Sequence, residues 1–260
     1  MKEKKIVYYR DELNDEFSSA VINARKIDGD YVYDHTSLFK KFTHFFWYRI
    51  VAVPIAFCYL KIHFQHKIVN RKVLKAARDT GYFIYGNHTQ PVGDAVIPTF
   101  VCWPRDAYVI VHPANVSMPF LGKINPSMGA IPLPDTKEAS RNFVNVIEKR
   151  IRQKKAVFIY PEAHIWPYYT GIRPFTEKSF HYPVKQKVPA FCFTNTYQKK
   201  LFSKRPRIVT YVDGPFYPDE TLPLAQQKKK LRDDIFEKMT ERSKLSDVTW
   251  IEYRKEGTDS

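Results

Sequence analysis

A chain of 260 residues is long enough to bury a full hydrophobic core, and we expect it to fold as one large domain. Lysine and arginine outnumber aspartate and glutamate by 42 to 27, and the net charge of +15 indicates an anionic partner: nucleic acid, an anionic membrane or an acidic carrier protein. Aromatic residues make up 15% of the chain and cluster with basic residues in its first third, a mixture typical of a membrane interface.

The cysteines and the N-terminal residues indicate the cellular compartment. Cys58, Cys102 and Cys192 lie far apart in apolar or aromatic stretches, with no Cys-x-x-Cys spacing to indicate a metal site. We therefore expect three buried free thiols in a reducing compartment. Residues 1–36 are polar and predict an N-terminal arm or short lid. They contain no apolar segment of the secretory type, so we expect the protein to stay in the cytosol.

The first apolar segment, Leu38–Ile62, mixes aromatic and basic residues. Its longest apolar run, Ile50–Leu60, contains Pro54 and is expected to be too short to cross a bilayer core of about 30 Å. A buried core hairpin and a monotopic membrane anchor are the alternatives. The pattern favours the anchor, because cations beside the rings would meet lipid phosphates. We predict that residues 37–66 dock the protein, peripherally or monotopically, on the cytoplasmic face of an anionic membrane.

Short apolar runs and helical patterns alternate along the rest of the chain. Arg71–Thr80 and Lys137–Arg152 have helical patterns, and Glu220–Ser246 predicts a surface helix. This alternation predicts an α/β domain over residues 67–260, with a mixed, largely parallel sheet flanked by helices. The predicted strands are Tyr82–Tyr85, Ala107–Val111, Ala130–Leu133, Ala156–Tyr160, Pro189–Phe193 and Ile208–Val212.

The first of these strands ends in a polar turn with the sequence GNHTQPVGD, residues 86–94. Pro91 and Gly93 tighten the turn, so the Asp94 carboxylate can fold back onto the His88 imidazole. A carboxylate bound to one ring nitrogen sets the tautomer and leaves the other nitrogen to take a proton from an incoming hydroxyl group. His88 and Asp94 are therefore the candidate general base and its orienting partner.

A second polar turn follows the predicted strand Ala156–Tyr160. Pro161 blocks further strand pairing, and Glu162 is expected at the mouth of the turn. Because the carboxyl ends of parallel strands meet at one edge of a sheet, Glu162 and His88 are expected to converge over one site. Two such turns at one edge favour a catalytic site over an incidental His–Asp pair.

In order along roughly residues 80–195, these segments resemble the sequence blocks of the glycerolipid, or lysophospholipid, acyltransferase superfamily. The Asn-His-x-x-x-x-Asp block is similar to Asn87-His88 through Asp94, and Phe-Pro-Glu-Gly-Thr-Arg-Ser is similar to residues 160–166, YPEAHIW. A Gly-rich block resembles residues 128–133, MGAIPL, and an apolar Val-Pro block resembles residues 188–191, VPAF. The resemblance implies the fold and an acyl-transfer reaction better than it implies the acceptor.

Two departures from the family pattern concern the site. Five residues rather than four separate His88 from Asp94, and Gly93 is expected to absorb the extra residue as a bulged turn. The family offers Thr and Arg to an acceptor phosphate, and this chain has His164 and Ile165 there. Without that guanidinium, bidentate recognition of a phosphate needs another cation. The candidates are Arg173, which precedes a Pro-Phe pair of the family type, and then Lys137, Arg141 and Lys178.

The resemblance also implies roles for individual residues. His88 would remove the proton of the acceptor hydroxyl group, Asp94 would hold His88, and Glu162 would position the acceptor. Backbone amides near Gly129 or Ala163 would stabilise the oxyanion. The further substrate-binding candidates are Asn87, His164, Arg173 and Gly129, and no metal or bound cofactor is expected.

We therefore predict a membrane-associated O-acyltransferase of phospholipid biosynthesis. It would move a fatty acyl group from acyl-CoA or acyl carrier protein to a hydroxyl of a lyso-lipid, most commonly 1-acylglycerol-3-phosphate in this family. The alternatives are an acyltransferase for a non-phosphate lipid or glycolipid, a catalytically altered relative, and a basic module that binds membrane or nucleic acid without catalysis. Nucleic acid is not expected, because the densest aromatic cluster is an apolar run with few charges rather than a basic stripe.

Overall fold

The computed structural model describes residues 5–18, 22–33, 37–119, 121–200 and 203–257. Its strands are β1 (Lys5–Tyr9), β2 (Lys67–Val69), β3 (Tyr82–Gly86), β4 (Ala107–Val111), β5 (Ala130–Pro132), β6 (Ala156–Ile159), β7 (Ala190–Lys200), β8 (Ser203–Phe216) and β9 (Ile251–Lys255). Its α-helices are α1 (Leu38–Phe45), α2 (Val53–Phe64), α3 (Gly93–Cys102), α4 (Leu121–Ile124), α5 (Lys137–Arg152), α6 (His181–Gln186) and α7 (Leu224–Ser243).

A seven-stranded sheet forms the centre, in the order β2-β8-β7-β3-β6-β4-β5. Every neighbouring pair in this sheet is parallel except the antiparallel pair of β7 and β8. The predicted mixed, largely parallel sheet flanked by helices is confirmed. The carboxyl ends of β3 and β6, which carry the two polar turns, are adjacent at one edge of the sheet because β3 pairs directly with β6.

The sheet is buried on both faces, which explains its nearly continuous apolar strands. Tyr82 and Ile84 point to the face covered by α2 and α3, and Phe83 and Tyr85 point to the face covered by α5, α6 and α7. This alternation follows from the two-residue repeat of a strand. Helix α5 matches its predicted bounds and buries Phe143 together with aliphatic side chains of the same face.

The differences from the predicted elements have local causes. The segment predicted as a helix from Arg71 is a 3₁₀-helix, Arg71–Ala77. Strands β7 and β8 extend well past their predicted apolar cores, because they form a long hairpin whose outer part carries polar residues. Strands β1, β2 and β9 were not predicted. The first and last of these pair only with each other, in a small parallel sheet.

The apolar segment is one continuous helical stretch, α1 through α2, with a π-helical middle at Phe46–Ala52. Pro54 has no N–H to donate, and the Val53 N–H bonds the Tyr48 carbonyl one residue further back than in an α-helix. The stretch Phe42–Phe64 has 23 residues, and its most apolar window of 18 residues has a mean hydropathy of 1.5 and is 17% buried. At about 1.5 Å per residue it is roughly 35 Å long.

This geometry corrects three expectations. By length and composition alone the helix is sufficient to cross a membrane, so the expectation that the segment is too short was wrong. The alternative of a buried core hairpin is also wrong, because the segment is a single helix with exposed Phe42, Phe45 and Ile55. Cys58 on this helix is exposed, whereas Cys102 and Cys192 are buried as predicted. All three are free thiols.

Part of the predicted N-terminal arm packs beside the polar turn that follows β6. Strand β1 pairs with β9, and the following residues 10–18 lie along the turn after β6. The Phe17 N–H donates to the Ile165 carbonyl at 3.2 Å, and the Trp166 indole N–H donates to the Asp15 carbonyl at 2.8 Å. The Trp166 ring is buried and stacks on Tyr253 of β9. The domain boundaries at residues 36 and 66 stay predictions.

Candidate active site

His88 and Asp94 form a hydrogen-bonded pair at the carboxyl edge of the sheet. Strand β3 ends at Gly86, and α3 begins at Gly93, which places Asp94 in the first turn of that helix. The His88 Nδ1–H donates to Asp94 Oδ2 at 2.8 Å. The His88 side chain is 24% exposed and that of Asp94 only 4%. The Nε2 of His88 is thus left to accept a proton, while its partner is shielded from water.

The extra residue between His88 and Asp94 is taken up by the turn before α3. The Asp94 N–H donates to the Gln90 carbonyl at 3.1 Å and closes this turn. Gly93 does not adopt a left-handed backbone, and a Cβ there would lie 2.9 Å from the Cβ of Gln90. Glycine is therefore required by close packing, rather than by the bulged backbone that the sequence predicted.

Three donors surround the Asp94 carboxylate. Its Oδ2 accepts from His88 Nδ1 and from the Gln90 N–H, both at 2.8 Å. Its Oδ1 faces the Asn195 Nδ2 of β7 at 3.3 Å. Burial raises the pKa of Asp94, and the bonds from His88 and Gln90 oppose that shift by stabilising the ionised form. With donors on every side, the carboxylate acts as an acceptor that sets the tautomer and ring plane of His88.

Tyr160, the last residue before the second polar turn, supports His88 from one face. Its ring stacks on the imidazole with centroids 4.6 Å apart and an interplanar angle of 24°. The Tyr160 hydroxyl donates to the Asp94 carbonyl at 2.5 Å. Burial holds the pKa of this phenol well above its usual value, so it remains a neutral donor. The side chain fixes the rotation of the imidazole, a role that the sequence analysis did not assign.

Glu162 is brought next to His88 as predicted, but it lies beneath the turn rather than at its mouth. It is 3% exposed, and its Oε2 accepts the backbone N–H of His88 at 3.3 Å. Ala163 follows with a left-handed backbone, φ 62°, at the position where the family block has glycine. Burial raises the pKa of Glu162 to about 7. Its contacts support the backbone of the His88 turn and do not reach towards solvent.

Arg173 occupies the interior, which argues against its predicted contact with a phosphate. The residue is 0% exposed, and its Nε lies 3.5 Å from Glu162 Oε2. Its terminal nitrogens donate to the carbonyls of Glu12, Glu162 and His164. A guanidinium engaged in this way holds the turn and the arm together. The alternatives Lys137, Arg141 and Lys178 are exposed side chains.

Of two other predicted substrate contacts, one has a structural role beside the site and one lies far from it. Asn87 is buried and exchanges two hydrogen bonds with the backbone of Asn195, so it joins β3 to β7. Gly129 precedes β5 at the amino edge of the sheet, whereas His88 follows β3 at the carboxyl edge. Three strand spacings, about 14 Å, also separate β5 from β3. Gly129 therefore contributes neither a substrate contact nor an oxyanion amide at this site.

His164 lies in the second turn and contacts the N-terminal arm. Its Nδ1 is 3.1 Å from Glu16 Oε2, and the Ile165 N–H donates to the same carboxylate at 3.3 Å. The Trp166 N–H donates to the His88 carbonyl at 3.1 Å. Residues 163–165 thus lie between two residues that bond to the His88 backbone, Glu162 through its side chain and Trp166 through its N–H. The Glu16 carboxylate therefore already accepts hydrogen bonds from the donors that the family block would offer to an acceptor phosphate.

No group of three or more His, Cys, Asp or Glu side chains that could hold a metal ion occurs in the part of the chain that the structure describes. The groups at the site are instead an imidazole, carboxylates, amides and phenols. They can hold and move a proton, which is the requirement for activating a hydroxyl nucleophile.

Comparison with known proteins agrees with this geometry. The model of the family described as Acyltransferase matches residues 61–193, more than half of the chain. Among solved structures, the fold is similar to that of the 1-acyl-sn-glycerophosphate (LPA) acyltransferase PlsC from Thermotoga maritima, with a TM-score of 0.53 and 12% sequence identity. The alignment covers 81% of this chain and 97% of that one. No curated protein sequence matches the chain.

Proposed function

The chain belongs to the acyltransferase family, and from that premise we propose that it transfers a fatty acyl group from a thioester carrier, acyl-CoA or acyl carrier protein, to a hydroxyl group of a lyso-lipid. The observation that carries this proposal is the His88–Asp94 pair. Its 2.8 Å hydrogen bond and unequal exposure give a base that is open on one nitrogen and oriented through the other. The family likewise requires an acyl-transferring enzyme.

In the proposed reaction, His88 Nε2 takes the proton of the acceptor hydroxyl as its oxygen attacks the thioester carbonyl. The tetrahedral intermediate collapses, the carbon–sulfur bond breaks, and His88 returns the proton to the leaving thiolate. Asp94 stabilises the transient imidazolium, and Tyr160 keeps the ring from rotating. The products are an ester and the free thiol of the carrier.

Replacement of His88 tests this mechanism. The purified protein is incubated with labelled acyl-CoA or acyl carrier protein and a panel of lyso-lipids, and the products are identified by mass. We expect His88→Ala to lower the turnover by roughly 10²- to 10⁴-fold, because general-base catalysis contributes that factor. The variant must show the circular dichroism spectrum and Tm of the parent. Unchanged turnover in a folded His88→Ala protein would refute the assignment.

We further propose that α1 through α2 attaches the enzyme to an anionic membrane on the cytoplasmic side. Support comes from the exposed rings of this helix and from the net charge of +15. Whether the helix crosses the bilayer or lies in its interface is tested by accessibility of Cys58 to a membrane-impermeant maleimide in sealed vesicles. Protection of Cys58 in intact vesicles that is lost on detergent solubilisation would place this part of the helix in the bilayer core, whereas labelling in intact vesicles would indicate an interfacial helix.

For the acceptor, two candidates follow from different observations. The resemblance to the superfamily, and a structural neighbour that is named for LPA, support 1-acylglycerol-3-phosphate. The contacts of Glu16 favour an acceptor without a phosphomonoester, because its carboxylate already accepts from His164 and Ile165. A phosphate placed there would meet a like charge and would find Arg173 buried and engaged.

The two acceptors are distinguished by Glu16→Gln, which keeps a hydrogen-bond acceptor and removes the charge. If the acceptor lacks a phosphate, the parent prefers a neutral monoacylglycerol or glycolipid, and Glu16→Gln raises kcat/KM for lysophosphatidic acid by about tenfold, the equivalent of roughly 1.4 kcal/mol of repulsion. Glu237→Gln is the control, because it removes the same charge from the exposed face of α7. It should leave kcat/KM unchanged for both substrates. A parent that prefers lysophosphatidic acid and is indifferent to Glu16→Gln would favour the phosphate acceptor.

A further inference from the structure

A chain of buried hydrogen bonds leads from the His88–Asp94 pair to the other side of the β7–β8 hairpin. Asn195 Nδ2 faces Asp94 Oδ1 at 3.3 Å, and the Thr210 hydroxyl donates to Asn195 Oδ1 at 2.6 Å. The hydroxyl oxygen of Thr210 in turn lies 2.8 Å from Nε2 of His66. Asn195 and Thr210 are 1% and 0% exposed, and His66 is 4% exposed.

The chemistry of each group permits only one direction of donation along this chain. A carboxylate can only accept, so the Asn195 amide must present its NH₂ to Asp94 and its oxygen to Thr210. The Thr210 proton is then committed to Asn195, and its oxygen must accept the Nε2–H of His66. Burial lowers the pKa of His66 to about 4, which makes it a neutral imidazole that carries one such proton.

Asn195 is additionally held through its backbone. Its N–H donates to Asn87 Oδ1 at 2.8 Å, and its carbonyl accepts from Asn87 Nδ2 at 3.0 Å. The amide is therefore restrained at both its main chain and its oxygen. The single remaining freedom is a flip of the amide plane, and that flip would turn an oxygen towards the Asp94 carboxylate. The Thr210 hydroxyl opposes the flip by donating to the amide oxygen.

We propose that Thr210 and Asn195 are positioning residues for the reaction: the hydroxyl of Thr210 sets the amide of Asn195, and the amide holds Asp94 Oδ1 so that Oδ2 stays aligned with His88. This inference rests on the proposed function of His88 as the base. It assigns a catalytic effect to a threonine on β8 that has no contact with His88 itself. His66 completes the chain by satisfying the second polar contact of Thr210.

Charged and titratable groups surround both ends of this hydrogen-bond chain, Asp94 and His66. Around Asp94 these are His88 in its own turn, Tyr160 after β6 and Tyr197 on β7, while Glu162 contacts the backbone of His88. Around His66, Lys61 of α2 donates to the His66 carbonyl at 2.7 Å and opposes protonation of the ring. Asn195 is the amide that contacts Asp94 Oδ1 directly, so its loss changes the carboxylate more than it changes these neighbours.

The test compares Thr210→Val, which removes the hydroxyl at nearly constant shape, with Thr210→Ser, which restores it. We expect Thr210→Val to lower kcat/KM for acyl transfer by about tenfold, as for the loss of one buried hydrogen bond that is fully expressed in the transition state, with Thr210→Ser within about threefold of the parent. The acidic limb of the pH profile should also move to lower pH in Thr210→Val, because an Asp94 carboxylate that is no longer aligned with His88 stabilises the protonated imidazole less.

Thr196→Val is the matched control. Thr196 lies on β7, is 0% exposed, and its hydroxyl donates to the Val209 carbonyl at 3.0 Å without any contact to Asp94. It therefore loses a buried hydrogen bond of the same kind in the same hairpin. Equal losses of activity in Thr210→Val and Thr196→Val, an unchanged pH profile, or a failure of Thr210→Ser to recover activity would overturn the proposal.

A second readout separates this proposal from the proposed function. Nitrogen-15 NMR of the His88 ring reports whether the proton resides on Nδ1, whatever reaction the enzyme performs. We expect the parent, Thr210→Ser and Thr196→Val to hold the Nδ1–H tautomer, and Thr210→Val to show a mixture of tautomers. A parent without acyltransferase activity but with this pattern would refute only the function. A pure Nδ1–H tautomer in Thr210→Val would refute the positioning role even in an active enzyme.

Discussion

Exchange of the two side chains at the Asp94–Asn195 contact should first destroy and then partly restore catalysis. In Asp94→Asn, the amide at position 94 faces three donors: His88 Nδ1–H, the Gln90 N–H and Asn195 Nδ2. Whichever way the amide turns, its NH₂ meets at least one of them. One orientation opposes Asn195, and the other forces the proton of His88 onto Nε2, where it blocks the acceptor hydroxyl.

The magnitude follows from this geometry. An unsatisfied buried donor costs about 1–3 kcal/mol of stability, and a base held in the wrong tautomer loses roughly 10²- to 10⁴-fold in rate. Asn195→Asp alone should also be harmful, because it places a second carboxylate 3.3 Å from the first. In the double variant the donors and acceptors match again: the amide oxygen accepts from His88, the amide NH₂ donates to position 195, and Thr210 donates to the new carboxylate.

The assay is a double-mutant cycle on kcat/KM, with the Tm of each protein measured in parallel. We expect the double variant to exceed Asp94→Asn by at least about tenfold, or roughly 1.4 kcal/mol, so that the coupling energy is larger than this by the cost of Asn195→Asp alone. The double variant should stay below the parent because the negative charge now lies farther from His88. A folded double variant no more active than the worse single variant would show that hydrogen-bond polarity at Asp94 does not control His88. Additive losses would lead to the same conclusion.

Two further predictions concern the pH dependence of stability and the membrane. Because burial raises the pKa of Glu162 from 4.5 to about 7, the folded state binds more protons than the unfolded chain between these values; this contribution is complete below pH 4.5 and is lost as the pH rises through 7. Glu162→Gln has no such loss. The free energy of unfolding of the variant, relative to that of the parent, should therefore rise by an amount on the order of 3 kcal/mol between pH 5 and pH 8. A difference in thermal stability that stays constant over this pH range would contradict the raised pKa. Replacing Phe45, Phe46 and Trp47 with Ser should release the protein from anionic vesicles in sedimentation, since each buried ring contributes roughly 1.5–3 kcal/mol, whereas Ser at the exposed Tyr217 should not; equal pelleting of all three proteins would reject the anchor.

Much of the central sheet could be predicted from local patterns. Strand β4 and helix α5 have the bounds that the sequence predicted, because a buried parallel strand needs a continuous apolar run and an amphipathic helix needs a 3.6-residue repeat. The adjacency of the His88 and Glu162 turns also followed from the rule that parallel strands present their carboxyl ends at one edge. The pairing of β1 with β9 did not, since paired residues such as Lys5 and Ile251 are 246 positions apart and nothing local in the sequence indicates their contact.

For the candidate site too, part could be predicted from the sequence and part depends on the tertiary structure. The motif alone indicated His88 and Asp94 as candidates, since their spacing and the turn residues between them are local, and four sequence blocks in order indicated the acyltransferase family. Which side chains surround that pair was decided by tertiary structure. Asn195 and Thr210 lie on a hairpin more than a hundred positions away in sequence, and Arg173, a plausible phosphate ligand by its place in the chain, is buried against Glu162. A sequence motif records neighbours along the chain, whereas hydrogen bonds, burial and charge act through space, and only the folded sheet brings those distant residues within 3.5 Å of one another.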